Sequence, residues 1–367
     1  MRRREFLATG AAIVTLPLAE LTSAAPERRL LYVAAPGIRN YVSYGGVGVL
    51  VYDIADGYKF VKRIPTWVVP NGQDPENVKG VAASAKTGKL FVSTTKRLGC
   101  FDLVTDKLVW EAQPEGGCDR MAISPNGSVL YVPSFEGPHW NVVDASTGKP
   151  LAKVVTDSGA HNTVYSLDGR HAYLAGLRSP HLAIADTTTH KLVGSVGPFG
   201  NSIRPFTVNA AQTLCYVNVN DLLGFEIGDI KTGKKLHRIE VQGYQKGPVD
   251  RHGCPSHGIG LTPDERELWL SDGHNKAMHV FDNTVMPPRQ MTTLPLRDQP
   301  GWVTFSIDGR HAYPSTGEIF DARSKKLVTA LQDETGRQVG SEKLLEIVFN
   351  GDKPVRNGDQ FGIGTKR

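Results

Sequence analysis

An aspartate closes a short apolar strand at Asp53, Asp102, Asp144, Asp186, Asp229, Asp282 and Asp321, each time just ahead of a polar turn. The interval is roughly forty residues, enough for several short strands and too regular for one continuous domain pattern. A unit of that size cannot bury its apolar face alone, and the architecture that this period specifies is a β-propeller, with four-stranded blades set around a channel. The chain is therefore expected to be all-β.

Ahead of most of these aspartates stands a second recurring phrase, a turn that runs into a strand. It reads SPNGSVLYV from Ser124, SLDGRHAYL from Ser166, TPDERELWL from Thr262 and SIDGRHAYP from Ser306, with weaker copies from Ser84 and Asn209. Asn126-Gly127 and Asp168-Gly169 tolerate the positive φ that tight turns demand, so they set the register of the strands beside them. Six full units fit between Lys79 and Leu331. The seventh must be shared between the termini. LLYVAAP from Leu30 starts as a second strand with no first strand before it, whereas LLEIVFNGDKPV from Leu344 reads as a first strand and its turn with no second strand or aspartate after it. The C-terminal strand is thus expected to complete the first blade and close a seven-bladed ring, which removes open strand edges.

The phrases Leu130-Tyr131-Val132, Leu31-Tyr32-Val33 and Cys215-Tyr216-Val217-Asn218 stand where the YVTN-repeat (YncE-like) propellers carry their eponymous tetrapeptide. The chain resembles that family from about Arg29 to Val355, by pattern rather than verbatim. The resemblance implies a single seven-bladed domain over residues 26–367. Similar architecture occurs in lactonase-like enzymes, amine dehydrogenase heavy chains and nitrous oxide reductase domains, so function has to be argued from the site.

Residues 1–25 read as an export signal, with basic Arg2-Arg3-Arg4, an apolar run from Ala8 to Leu18 and small residues at Ser23-Ala24-Ala25. Arg3-Arg4-Glu5-Phe6-Leu7 resembles the twin-arginine motif, which implies a periplasmic or secreted protein that crosses already folded. Cleavage is placed after Ala24, since Pro26 disfavours a later cut. The apolar run is too short, and too broken by Gly10 and Pro17, to span a bilayer, and no other segment could. Loss of the leader leaves a net charge of about +4 from the +5 of the whole chain, with the basic residues scattered through turns. That pattern disfavours nucleic acid as a partner.

Cys100, Cys118, Cys215 and Cys254 lack the paired spacings of zinc, haem or iron–sulfur sites. Cys100 and Cys215 sit inside strands as small apolar groups. Cys118 and Cys254 precede inner strands about three blades apart, too far for a disulfide unless the loop before His257 folds inward.

Aligning the units on their turn phrases places Lys79, Asp119, His161, Arg204, His257 and Gly301 at one equivalent position, the start of each inner strand. Packing alone would ask for small apolar residues there, so a polar ring points to a solvated funnel that binds something. The loops between second and third strands reach the same face with Glu136, His139, Arg178, His181, Asp272, His274 and Asn275. The longest connections, 66–78 and 242–256, also belong to it, the latter bringing Tyr244, Arg251 and His252 beside His257. By contrast, His171 and His311 follow identical turns on the opposite face and read as solvent-facing. Trp302 is placed on the channel floor.

Three chemistries fit this ring. His161, His257 and His274, with His252, could hold a transition metal through neutral imidazoles. Arg204 and Lys79 could clamp an anionic small molecule, Arg204 offering the two-pronged geometry that carboxylates favour. A periplasmic enzyme of lactonase, lyase or metal-dependent oxidoreductase type could use a histidine as general base and arginine against a developing oxyanion. Arg204 and Lys79 could also simply pair with Asp119, and the rim loops could dock a partner protein. The expected ligand-binding set is Lys79, Asp119, His161, Arg204, His257 and His274. No phosphate loop, nucleophile elbow or dinucleotide fingerprint occurs in the chain.

Overall fold

The computed structural model describes residues 27–365 and shows seven antiparallel sheets. The leader lies outside the described residues. Blades two to seven each have four strands in chain order, beginning with the inner strands Val78–Ser84, Ala122–Ile123, Ala160–Tyr165, Ile203–Val208, Ile259–Leu261 and Val303–Phe305. Blade one is built from both ends of the chain. Its inner strand is Leu344–Asn350, which pairs with Glu27–Ala35 so that Leu30 faces Ile347 and Leu31 faces Glu346. Neighbouring inner strands touch all the way round, from blade one to two and back from seven to one, which makes the molecule a closed seven-bladed β-propeller.

The repeating aspartate has a local physical cause. Its Oδ1 accepts backbone N–H groups two or three residues on, as in Asp144 to Ser146 and Thr147 (2.9 Å each) and Asp186 to Thr189 (2.7 Å). The same turns close when the N–H of the residue four on donates to the aspartate carbonyl, as from Gly148 to Asp144 and His190 to Asp186 (2.8 Å). That closing residue has positive φ, 73° at Gly148 and 56° at His190. An aspartate thus satisfies donors that the sharp bend would otherwise leave open. In the second phrase Gly127 and Gly169 likewise take positive φ, and Glu265 adopts φ 60° where the glycine is missing.

Between blades the core is layered from aromatic and branched side chains. Trp140 is fully buried and donates Nε1–H to Thr163 Oγ1 of the next blade at 2.8 Å. Tyr58 joins blade one to blade seven through Tyr313 (2.9 Å) and His311 (2.7 Å). His311 is therefore half-buried and bonded between blades, which corrects its reading as a solvent-facing strand start.

A further correction concerns the C-terminus, where no strand is expected after the turn that follows Leu344–Asn350. After Gly351-Asp352 the chain forms a fifth strand of blade one, Lys353–Asn357, on the channel side of the inner strand. The segment 358–365 then crosses the channel. Gln360 bonds Val81 N–H (3.3 Å) and the Met121 carbonyl (3.1 Å), Gly362 accepts from Thr207 Oγ1 (2.7 Å) and Leu261 N–H (2.8 Å), and the Asp359 carbonyl accepts from Thr304 (3.0 Å). Five blades are stapled by these bonds alone, and the funnel becomes blind at its floor.

Candidate functional site

The funnel face is organised by the residues at, and immediately after, the start of each inner strand. Asp119 is wholly buried and accepts a hydrogen bond from His161 Nδ1 at 2.7 Å, while Lys79 Nζ sits 3.4 Å from its other oxygen. The His161 ring lies 6.1 Å from that of His257, whose Nδ1 donates to the Gly301 carbonyl at 2.9 Å. Lys79, Asp119, His161, His257 and Gly301 thus run in sequence around one hub.

Arg204 and His274 are placed differently. The Arg204 guanidinium is held at the rim by Asn220 Oδ1 (2.6 Å) and the Gly253 carbonyl (3.3 Å). His274 is exposed, with Nδ1 3.2 Å from the Pro248 carbonyl. Arg204 thus leaves the inner strand Ile203–Val208 to meet loop partners, and His274, between the second and third strands of its blade, does the same.

In their place the hub gains Arg120, His252, Glu342 and Lys343. Arg120 pairs with Glu342 and lies over the Trp302 ring at 4.0 Å, so that the ring backs a cation. Lys343 Nζ is 2.8 Å from both Glu342 and the Gly37 carbonyl. His252 stacks on His257 with ring centroids 4.4 Å apart and approaches Glu342 to 3.2 Å. Gly301 makes this possible, because a Cβ there would collide with the His252 ring and the Glu342 carboxylate. Extending the turn-phrase alignment by one blade would have found Glu342 and Lys343, which precede the Leu344–Asn350 strand as Asp119 precedes its own. Arg120 carried no signal beyond adjacency to Asp119.

Over the hub lies a strap, residues 242–256, without regular structure. Arg251 ties it to Asp298 (2.7 Å) and to the Tyr44 hydroxyl, Arg39 donates to the Arg251 carbonyl (2.9 Å), and Tyr244 packs on the buried His279 ring at 4.8 Å. The strap covers the hub. Cys118 and Cys254 are both buried and free.

Burial sets the protonation states. It would raise the Asp119 carboxyl, but His161 and Lys79 more than offset that and hold it at about 2. Glu342, also buried, is held well below the usual carboxylate range by Lys343, His252 and Arg120. Burial lowers all three imidazoles: His161 despite Asp119, His252 to about 4 despite Glu342, and His257 well below its ordinary value, aided by His252. Lys343 is drawn down by burial to about 7, against the pull of Glu342. At neutral pH the hub therefore holds two firm carboxylates, the Lys79 and Arg120 cations, neutral histidines and one lysine near its midpoint.

For metal binding, the ligand atoms of His252, His257 and Glu342 lie within 4.8 Å of one another. Two cations already neutralise Glu342, and a metal ion would add a third positive charge beside them, so the electrostatics fit an anion better than a cation.

The molecule is, in class, a seven-bladed propeller with a buried ionised hub, a strap above it and a chain segment below. No family model matches the chain, and no curated protein matches it. Among solved structures it is similar to the periplasmic gluconolactonase PpgL of Pseudomonas aeruginosa, at 16% identity over 91% of this chain and 99% of that one, with a TM-score of 0.64. It also matches Kuenenia stuttgartiensis hydrazine synthase at 14% identity over 72% of this chain and 99% of that one, with a TM-score of 0.46. The first likeness supports the fold. Among the described residues no helix is long and apolar enough to cross a membrane.

Proposed function

We propose that this chain is an exported propeller of the YVTN-repeat type that binds a small anion in the hub beneath its strap. The observation that carries the reading is the charge state of the hub, where Lys79, Arg120 and Lys343 face two carboxylates among largely buried side chains. An arriving anion would complete a balance that Lys343, near its midpoint, leaves open, and binding would draw a proton onto that lysine. In low dielectric each such contact is stronger than at the surface. The twin-arginine-like leader supports export, and the YVTN-like phrases support the family.

Calorimetric titration with phosphate and small carboxylates at pH 7.5, in two buffers of different ionisation enthalpy, tests the reading. Binding should be accompanied by uptake of up to one proton, and Lys343→Met should abolish the uptake. The absence of binding by every anion in the series would refute it.

A further inference from the structure

The hub contains more than charge. Among its buried side-chain atoms, His161 Nε2, Asn162 Oδ1 and Nδ2, Asn218 Oδ1 and Arg120 Nε have no hydrogen-bond partner. Asn162 and Asn218 are fully buried, Arg120 is 1% exposed and His161 is 5% exposed. The chain brings these residues beside the hub. Arg120 and Asn162 are bridged across blades three and four, Asn162 follows His161 in the chain, and Asn218 Nδ2 donates to the His257 carbonyl at 2.7 Å. A buried polar group without a partner is destabilising, so a cluster of them marks a place that a ligand completes.

Their hydrogen-bonding sense is readable. Asp119 is ionised and can only accept, so His161 Nδ1 carries the proton and Nε2 presents a lone pair. The open set is therefore three acceptors (His161 Nε2, Asn162 Oδ1, Asn218 Oδ1) and two donors (Asn162 Nδ2–H, Arg120 Nε–H). A simple alkanoate brings acceptors only and would leave the three acceptors unmet, and hydrogen phosphate brings a single O–H to three acceptors. An amine brings donors, yet its charge is repelled by Lys79, Arg120 and Lys343. Hydroxyl groups both donate and accept.

We propose that the ligand of this hub is a polyhydroxylated carboxylate, a sugar acid, whose carboxylate meets the cations and whose hydroxyls donate to His161, Asn162 and Asn218. This rests on the anion reading above and narrows it to a chemical class. His161 is then the residue that selects for a hydroxyl, and its pairing with Asp119 is what holds the selecting lone pair toward the ligand.

The test compares D-gluconate with hexanoate, equal in carbon number and charge, by calorimetry on the mature chain. Gluconate should bind at least tenfold more tightly. Asp119→Asn keeps the shape but lets an amide donate to His161 Nδ1, which moves the imidazole proton to Nε2 and turns the acceptor into a donor. Asn162→Leu removes two of the open atoms at similar volume and leaves every ion pair in place. Each variant should shrink the gluconate preference severalfold. Equal or tighter binding of hexanoate, or a preference unchanged in both variants, overturns the sugar-acid proposal while leaving anion binding standing. If gluconate, hexanoate and phosphate all fail to bind, the anion reading falls and this proposal with it.

Discussion

Lowering the pH from 7.5 to 4 should destabilise the folded protein through its hub histidines, and His252 allows the effect to be isolated. Burial holds the folded-state pKa of His252 at about 4, below the ordinary value of 6.5. The unfolded chain therefore binds a proton that the folded chain refuses throughout that interval, and stability falls as the pH drops. With 1.36 kcal/mol per unit, the His252 contribution reaches about 3 kcal/mol by pH 4. The groups facing the ring are Glu342 on the favourable side and Arg120, Lys343 and Arg39 on the unfavourable side, with His257 stacked beneath. Asp359 titrates in the same window with the opposite sign, because burial raises its carboxyl to about 6 and the folded state then binds the extra proton. The diagnostic quantity is thus the difference between wild type and His252→Gln, not the slope of either alone. Urea unfolding followed by tryptophan fluorescence at pH 7.5, 6, 5 and 4 should show the variant gaining on wild type by about 3 kcal/mol across the series. A difference that stays constant to within about 0.5 kcal/mol would refute a neutral, desolvated His252.

Three other outcomes are expected. Phe361→Ala should cost about 3–5 kcal/mol in urea unfolding, because this side chain of the crossing segment is 4% exposed and meets Trp302 edge-on at 6.0 Å. A thiol reagent should find no reactive cysteine in the native protein and four after unfolding, since all four are buried and burial pushes Cys100, Cys215 and Cys254 up to about 12. Arg251→Ala should loosen the strap without unfolding the ring, seen as faster amide exchange in residues 242–256 with unchanged exchange in the Ala160–Tyr165 strand.

Much of the architecture was legible because its determinants are local. The aspartates cap their own turns, the Asn-Gly and Asp-Gly pairs fix strand register, and the incomplete phrases at Leu30 and Leu344 complement each other as a missing strand must. Placement within the hub was legible to the extent that it follows register, which is why Lys79, Asp119, His161 and His257 come together. What register does not determine was lost. Gly351-Asp352 announces a turn but not the side on which the chain returns, so the inward strand Lys353–Asn357 and the floor beyond it went unforeseen. Arg204 and His274 find their partners in Asn220, Gly253 and Pro248, a matter of loop conformation. Glu342 and Lys343 were missed because the repeat is broken exactly where the two ends of the chain share a blade.

That shared blade also governs how the molecule can assemble. Leu30 and Ile347 are separated by most of the polypeptide, so the contact that shuts the circle is among the longest-range in the fold and carries the greatest loop-closure entropy. Until Leu344–Asn350 has been made, Glu27–Ala35 has an unpaired edge and the hub lacks Glu342 and Lys343. Structural completion and assembly of the binding centre are consequently one event, and an intermediate with six finished blades would be both sticky and empty-handed.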